Sequence, residues 1–173
     1  PDPDPDPDPD PDPDPDPDNR YRIEDFQTPE LLARHAWLVR EKNKVMNLTR
    51  ITSPEEMATK HVLDSLIALP ILAGSEDLAI ENVLDLGTGA GWPGLALGIA
   101  LPHLEMTLLD AKRKKIDFLK EVATDLGIDN RVHCEWARFE DWIKPVRKNF
   151  DVVLARAVGP VSYTHLRAHE TSG

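Results

Sequence analysis

A single cysteine, Cys134, is all the thiol this chain of 173 residues carries. An intramolecular disulfide framework is therefore excluded, and a reducing compartment suits the chain. Cys134 falls in a predicted strand and reads as a buried structural thiol. No apolar run approaches the roughly 20 residues of a membrane-spanning helix. No basic-then-apolar stretch opens the chain as a signal peptide would, so a cytoplasmic protein without membrane contact is expected. Clusters with metal-ligand spacing are also missing, as are obvious His–Asp or Cys–His pairs for nucleophilic catalysis. Internal repeats are lacking too, apart from the opening tract.

Acidic balance is the one compositional excess, with a formal net charge of −11, and it is local. Residues 1–18 are nine Pro–Asp repeats that hold nine of those charges. Proline and aspartate in alternation form neither helix nor sheet and bury nothing, so this tract is expected to be a solvated tail, artefactual or naturally disordered. The remainder is near neutral, and the charge says nothing about partners. Residues 162–173 lack a clean period and read as foreign sequence. Residues 19–161 suffice for one domain with a real core, divided into an N-terminal helical segment (19–74) and an α/β segment (75–161).

Thr28-Pro29-Glu30 supplies a cap and a proline for the first helical turn. Leu31, Leu32, His35, Leu38 and Val39 then share one helical face, and Asn47-Leu48-Thr49 ends the element. Ser53-Pro54-Glu55-Glu56 is a capping box for a second helix reaching about Leu69, with Met57, Leu63, Leu66 and Ile67 inward and Pro70 and Gly74 closing it. From Asn82 the pattern alternates strand and helix: 83–86, 94–100, 105–109, 112–126, 131–135, 139–143 and 150–154. That alternation predicts an α/β fold with a parallel sheet.

The densest signal is Val83-Leu84-Asp85-Leu86-Gly87-Thr88-Gly89-Ala90-Gly91-Trp92-Pro93-Gly94. It reads as a strand with an acid near its end, a glycine turn, and a helix opened by Pro93. Such a loop forms a nucleotide pocket at the carboxyl end of a central strand. Gly89-x-Gly91-x-x-Gly94 satisfies the dinucleotide fingerprint, whereas Asp85-x-Gly87-x-Gly89-x-Gly91 resembles the first motif of S-adenosylmethionine-dependent methyltransferases. A carboxylate at Asp85 suits the cationic amino-acid end of that donor and repels a pyrophosphate, so the loop favours the methyl donor over NAD. Asp110 ends the next strand, nineteen residues beyond Gly91, placed for ribose hydroxyls or for capping the following helix. After strand three, Trp136 to Trp142 offers aromatics beside an adenine, although both tryptophans also read as core anchors, Trp142 especially. Arg156 ends strand four on the same edge, where a buried arginine requires an anionic partner.

Asn43-Lys44-x-x-Asn47-Leu48-Thr49, Lys60-His61-x-Leu63-Asp64-Ser65, the Gly87–Gly94 loop, Leu108-Leu109-Asp110 and Ala155-Arg156-Ala157 occur in the order and spacing of one family. From about Glu30 to Val161 the chain resembles the bacterial small-subunit ribosomal RNA guanine-N7 methyltransferases (glucose-inhibited division protein B). The resemblance implies a Rossmann-like S-adenosylmethionine-dependent methyltransferase sheet, strands one to four, preceded by N-terminal helices. It also implies donor contacts at Gly87, Trp92, Phe139, Glu140 and Arg156, with Asp110 on the ribose and Asp85, Gly89 and Gly91 shaping the loop. The implied partner is 16S ribosomal RNA or the small ribosomal subunit, met by a monomer. Lys42 stands where the family commonly has an aromatic, and Ala90-Gly91-Trp92 where many members have Pro-Gly-Leu or Pro-Gly-Phe. The family continues for about three more strands, so the chain reads as a truncated member, expected to be marginally stable and inactive in methyl transfer.

Guanine N7 carries an in-plane lone pair and no proton, so the implied reaction needs orientation rather than a general base. His61 and Asp64 share a helical face and read as a helix-to-domain brace or as RNA or donor contacts, not as a metal site. Asn47 and Lys44 are further RNA or brace candidates. Arg40, Lys42, Lys44 and Arg50, and separately Lys112 to Lys115, form basic groups that suit phosphate or a solvated helix face. Alternatives are a methyltransferase for another substrate and a nucleotide-binding fragment without catalysis.

Overall fold

The computed structural model describes residues 28–73, 79–143 and 149–156; the Pro–Asp tract and residues 162–173 lie outside the described residues. Helix α1 (Thr28–Asn43) buries Leu32, His35 and Val39, with Leu31 and Leu38 partly buried beside them, the face its 3.6-residue period predicts. Ser53 caps α2 (Pro54–Met57), its hydroxyl accepting the Glu56 N–H at 3.1 Å.

The single helix predicted to reach Leu69 is instead broken into segments. The chain passes from α2 into a π-helical segment (Ala58–Leu63), then α3 (Asp64–Leu66). A π turn closes i→i+5 bonds and holds more residues than an α turn. The buried positions therefore step by four, through Met57, His61 and Ser65. The expected inward face is corrected accordingly: Leu66 stays partly buried, but Leu63 is 58% and Ile67 73% exposed. Pro70, expected to close the helix, lies in the first turn of α4 (Leu69–Leu72), where its missing N–H has no intrahelical partner to lose.

The second half keeps the predicted alternation within about two residues: β1 (Asn82–Leu86), α5 (Gly94–Ala100), β2 (Glu105–Asp110), α6 (Arg113–Asp125), β3 (Val132–Trp136), α7 (Phe139–Trp142) and β4 (Val152–Ala155). Pro93 caps α5 from outside, after a cis Trp92–Pro93 peptide, rather than occupying its first turn. All pairings are parallel, in the order β3-β2-β1-β4, with Leu84 between Thr107 and Val153. Strand order reverses between β1 and β4, so the chains leaving their carboxyl ends diverge and open a crevice there. Among the described residues β4 pairs with β1 alone, and its Val153 is 55% exposed.

One core joins both segments. Leu32, Val39, Met57 and Leu72 of the helical layer pack with Val83, Leu95, Leu97, Met106, Leu108 and Leu119. Outside that core, α1 is tied to α6 by a two-bond Arg34–Asp125 pair and by Lys42 Nζ, 3.0 Å from Glu121. Lys42 Nζ also lies 5.8 Å from the Phe118 ring centroid, a cation–π contact from α1 to α6. The core-anchor reading of Trp136 is corrected. Its ring is exposed, with Nε1–H donating to Ala111 C=O at 3.1 Å and Arg113 over one face. Trp142 is partly buried against Phe150, and Cys134 is buried, its thiol pushed up to about 11 by desolvation. Among the described residues no helix is long and apolar enough to cross a membrane, and no His/Cys/Asp/Glu group could hold a metal ion.

Candidate functional site

The alternating glycines have a direct backbone cause. Gly87, Gly89 and Gly91 all take positive φ, at 71°, 61° and 95°, a region that side chains with a Cβ rarely enter. The coil they permit folds back on β2: Gly87 N–H and Thr88 N–H both donate to Leu109 C=O, at 2.8 and 3.1 Å. Gly91 and Trp92 N–H groups then close on Thr88 C=O, at 2.9 and 3.2 Å. Gly94 serves packing instead. A Cβ there would stand 2.5 Å from Asp85 Oδ2 and 2.7 Å from Leu108, so α5 can approach the sheet only through glycine.

Between this loop and the end of β2 lies a concavity of about 290 Å³. It unites four predicted site residues, Gly87, Asp110, Phe139 and Glu140, with Leu86, Leu109, Ala111, Ala137 and Arg138. Asp110 spans its floor: Oδ2 accepts the Gly89 N–H at 3.1 Å, and Oδ1 the Lys112 N–H at 2.8 Å. Lys115 Nζ stands 3.8 Å from Oδ2. Asp110 thus ties the glycine loop to the residue that precedes α6, which itself starts without a side-chain cap, and about two of a carboxylate's four acceptor positions stay open.

Asp85, Gly89, Gly91, Trp92 and Arg156 do not line this cavity. Asp85 is only 1% exposed, its Oδ2 accepting the Gly94 N–H at 2.9 Å. Its Oδ1 and the Thr88 hydroxyl are both buried without hydrogen-bond geometry. Desolvation pushes the carboxyl up to about 6 against the opposing pull of Thr88, Gly94 and Arg156. The sequence placed this acid beside a ligand's cationic end; the structure places it beneath the loop. Trp92 is buried between two imidazoles, its ring centroid 4.0 Å from His35 and 5.5 Å from His61.

Arg156 reaches the helical layer. Nη1 donates to Asp64 Oδ2 at 2.6 Å, and Nη2 approaches His61 Nδ1 at 3.0 Å. A guanidinium can only donate, so Nδ1 is the acceptor and neutral His61 carries its proton on Nε2, which donates to Thr49 Oγ1 at 2.9 Å. Burial first, and Arg156 second, hold the His61 pKa below its ordinary value. Thr49 is in turn fixed by Asn43, whose Oδ1 accepts the Leu48 and Thr49 N–H groups while Nδ2 donates to Thr49 C=O. The Asn-Leu-Thr and His-x-Leu-Asp-Ser motifs and Arg156 are therefore one network from α1 to the end of β4; Ala157 lies outside the described residues. Asn43 and Thr49 are the network's overlooked pivots, although both stand inside motifs the sequence displays. Asn47 and Lys44 are exposed, Lys44 pairing with Glu41 at 2.6 Å.

Two buried groups beneath the loop oppose each other in pH. Desolvation lowers His35 to about 4, so between that value and 6.5 the unfolded chain binds a proton that the native chain refuses, and stability falls on acidification. Asp85, raised from 3.8 to about 6, holds a proton in the native state over nearly the same window, so its share of stability falls as pH rises. Asp85→Asn removes the second effect alone. Chemical denaturation at pH 6.5 and pH 4 should show the variant losing roughly 2 kcal/mol more than the parent on acidification. Parallel losses would refute the assignment.

Solved structures share the architecture. An O-methyltransferase from Bacillus cereus in complex with SAH matches with TM-score 0.52 at 19% identity, over 73% of this chain and 54% of that one. An SAH-bound methyltransferase from Podospora anserina gives 0.52 at 17% identity, over 73% and 50%. Among curated relatives, the ribosomal RNA small subunit methyltransferase G of Solibacter usitatus is 43% identical over 130 residues, covering 75% of this chain and 58% of the relative. That of Microcystis aeruginosa is 46% identical over 129 residues, covering 72% and 57%. The chain thus spans a little over half the length of these relatives. The family model described as "GidB: rRNA small subunit methyltransferase G" matches residues 28–170. On that match and those identities, the chain belongs to the rRNA small subunit methyltransferase G family.

Proposed function

We propose that this chain carries the donor-binding half of an S-adenosylmethionine-dependent methyltransferase acting on guanine N7 of 16S ribosomal RNA in the small subunit. The observation that carries the reading is a 290 Å³ cavity at the carboxyl edge of the sheet, lined by Gly87 of the glycine loop and by Asp110, whose Oδ2 accepts the Gly89 N–H. The cavity's chemistry suits an adenosine: two open acceptor positions on Asp110 for ribose hydroxyls, an apolar wall at Phe139, and Glu140 at the rim. When bound, S-adenosylmethionine supplies an electrophilic methyl group on a sulfonium.

The chain's own residues then have a positioning task. Asp110 and the loop fix the adenosine end, and Arg156, held by Asp64 and His61, stands on the switch-point side where the remaining donor contacts are proposed. Guanine N7 brings a lone pair and no proton, so no residue need act as base; alignment and exclusion of water supply the catalysis. A monomer working in the cytoplasm completes the proposal.

Calorimetry with S-adenosylhomocysteine and with NAD tests the donor assignment. The homocysteine analogue should bind and NAD should not, and Asp110→Asn should weaken binding about tenfold, or about 1.4 kcal/mol. NAD binding, or unchanged affinity in Asp110→Asn, would overturn it. The acceptor is tested by labelled methyl transfer to undermethylated small subunits, using the chain extended to its relatives' length. Chain cleavage specific for N7-methylguanine should locate the label in 16S RNA; label on another base or on protein rejects that acceptor.

A further inference from the structure

His35 is the most buried titratable side chain of the helical layer, with no exposed surface, and the donor chemistry above leaves it unused. Its Nε2 lies 2.9 Å from Ala90 C=O, at the crest of the glycine loop. A carbonyl only accepts, so His35 is the Nε2–H tautomer and Nδ1 keeps a lone pair, buried without a partner. Burial holds the ring neutral to about pH 4, which preserves this donor throughout the neutral range. The loop is shaped around the ring: a Cβ on Gly91 would stand 3.1 Å from His35 Nε2. On its other side the imidazole stacks on Trp92, and Trp92 on His61, which holds Arg156.

We propose that His35 is a positioning residue for the donor pocket, its Nε2–H holding the Ala90 carbonyl so that α1 sets the geometry of the glycine loop. Asp110 pins the same loop from the sheet side through Gly89 N–H. The two contacts fix residues 89–92 between the helical layer and β2, so the N-terminal helix is part of the pocket's construction rather than a cover on it. The inference rests on the donor-binding reading for its consequence, but its structural content stands apart from any ligand.

A pair of variants separates reach from packing. Glutamine places an amide nitrogen near the position of imidazole Nε2; asparagine stops at the position of Nδ1. In His35→Asn the Gly91 and Trp92 amides, which close on Thr88 C=O, should exchange with deuterium at least tenfold faster than in the parent. Affinity for S-adenosylhomocysteine should fall about tenfold. His35→Gln should recover most of both losses. Val39→Ala, a cavity one turn along the same helix face that leaves the loop bond in place, should leave both readings within twofold of the parent. Unchanged protection in His35→Asn, no recovery in His35→Gln, or equal acceleration in Val39→Ala would overturn the proposal. A parent chain that binds no S-adenosylhomocysteine would sink the donor reading alone, because amide exchange still decides this one.

Discussion

Gly94→Ala is expected to cost on the order of 3–5 kcal/mol of folding stability, more than other single glycine changes in the described chain. The added Cβ would lie 2.5 Å from Asp85 Oδ2, 2.6 Å from Asp85 Cβ and 2.7 Å from Leu108. Neither neighbour has room to retreat. Asp85 sits mid-sheet in β1 between Leu108 and Leu154, and Leu108 is wholly buried. Pushing α5 outward instead would break the 2.9 Å bond from Gly94 N–H to Asp85 and leave a buried carboxylate with no partner at either oxygen. Gly98→Ala is the milder comparison, because its Cβ would meet one atom closely, Met106 Cγ at 2.9 Å, with Val132 next at 3.7 Å. That variant should lose less than about 1.5 kcal/mol. Denaturant midpoints decide the matter: equal losses in the two variants would show that Gly94 is no close-contact position.

The glycine motif was legible because backbone demands leave few residue choices: three positive-φ sites and one close approach admit little but glycine. The parallel sheet was legible for a similar reason, since short apolar runs alternating with helical periods admit few topologies. Less visible were features decided by partners distant in sequence. An acid ending an apolar strand reads as a ligand contact, and only the position of Gly94 shows that Asp85 faces inward. His35 on an apolar helix face reads as ordinary core until Ala90 is brought to its ring. The π-helical segment has no local signature, yet it turns His61 and Ser65 inward in place of Leu63 and Ile67. The sequence left Trp136 between a ligand-side aromatic and a core anchor, because strand period says nothing about where a sheet stops being covered; its 56% exposure removes the second reading. Phe139 and Glu140 lay within the stretch read as flanking an adenine and were singled out individually by family resemblance, and the cavity brings both beside Asp110.

Gly89→Val should abolish donor binding, by more than about a hundredfold, while costing only about 1–2 kcal/mol of stability. The small stability cost reflects where the side chain would go. Gly89 has φ +61°, so any Cβ is strained there, yet the nearest atoms to it would be Lys115 Nζ at 3.7 Å and Gly87 O at 3.9 Å. The added Cβ meets no protein atom closer than ordinary van der Waals contact. The side chain would extend toward Lys115 Nζ, from the residue whose N–H the Asp110 Oδ2 accepts at 3.1 Å, and the proposed ribose is seated against that same carboxylate. A β-branched side chain is stiff at χ1 and cannot fold away. Gly127→Val isolates the backbone component: it has nearly the same φ, +68°, and nothing within 4 Å, at the end of α6 away from the cavity. The two variants should lose similar stability in thermal denaturation, and only Gly89→Val should lose S-adenosylhomocysteine binding in calorimetry. Binding within threefold of the parent in Gly89→Val would remove the loop from the donor site, because a ligand seated against Asp110 cannot share that space with an isopropyl group.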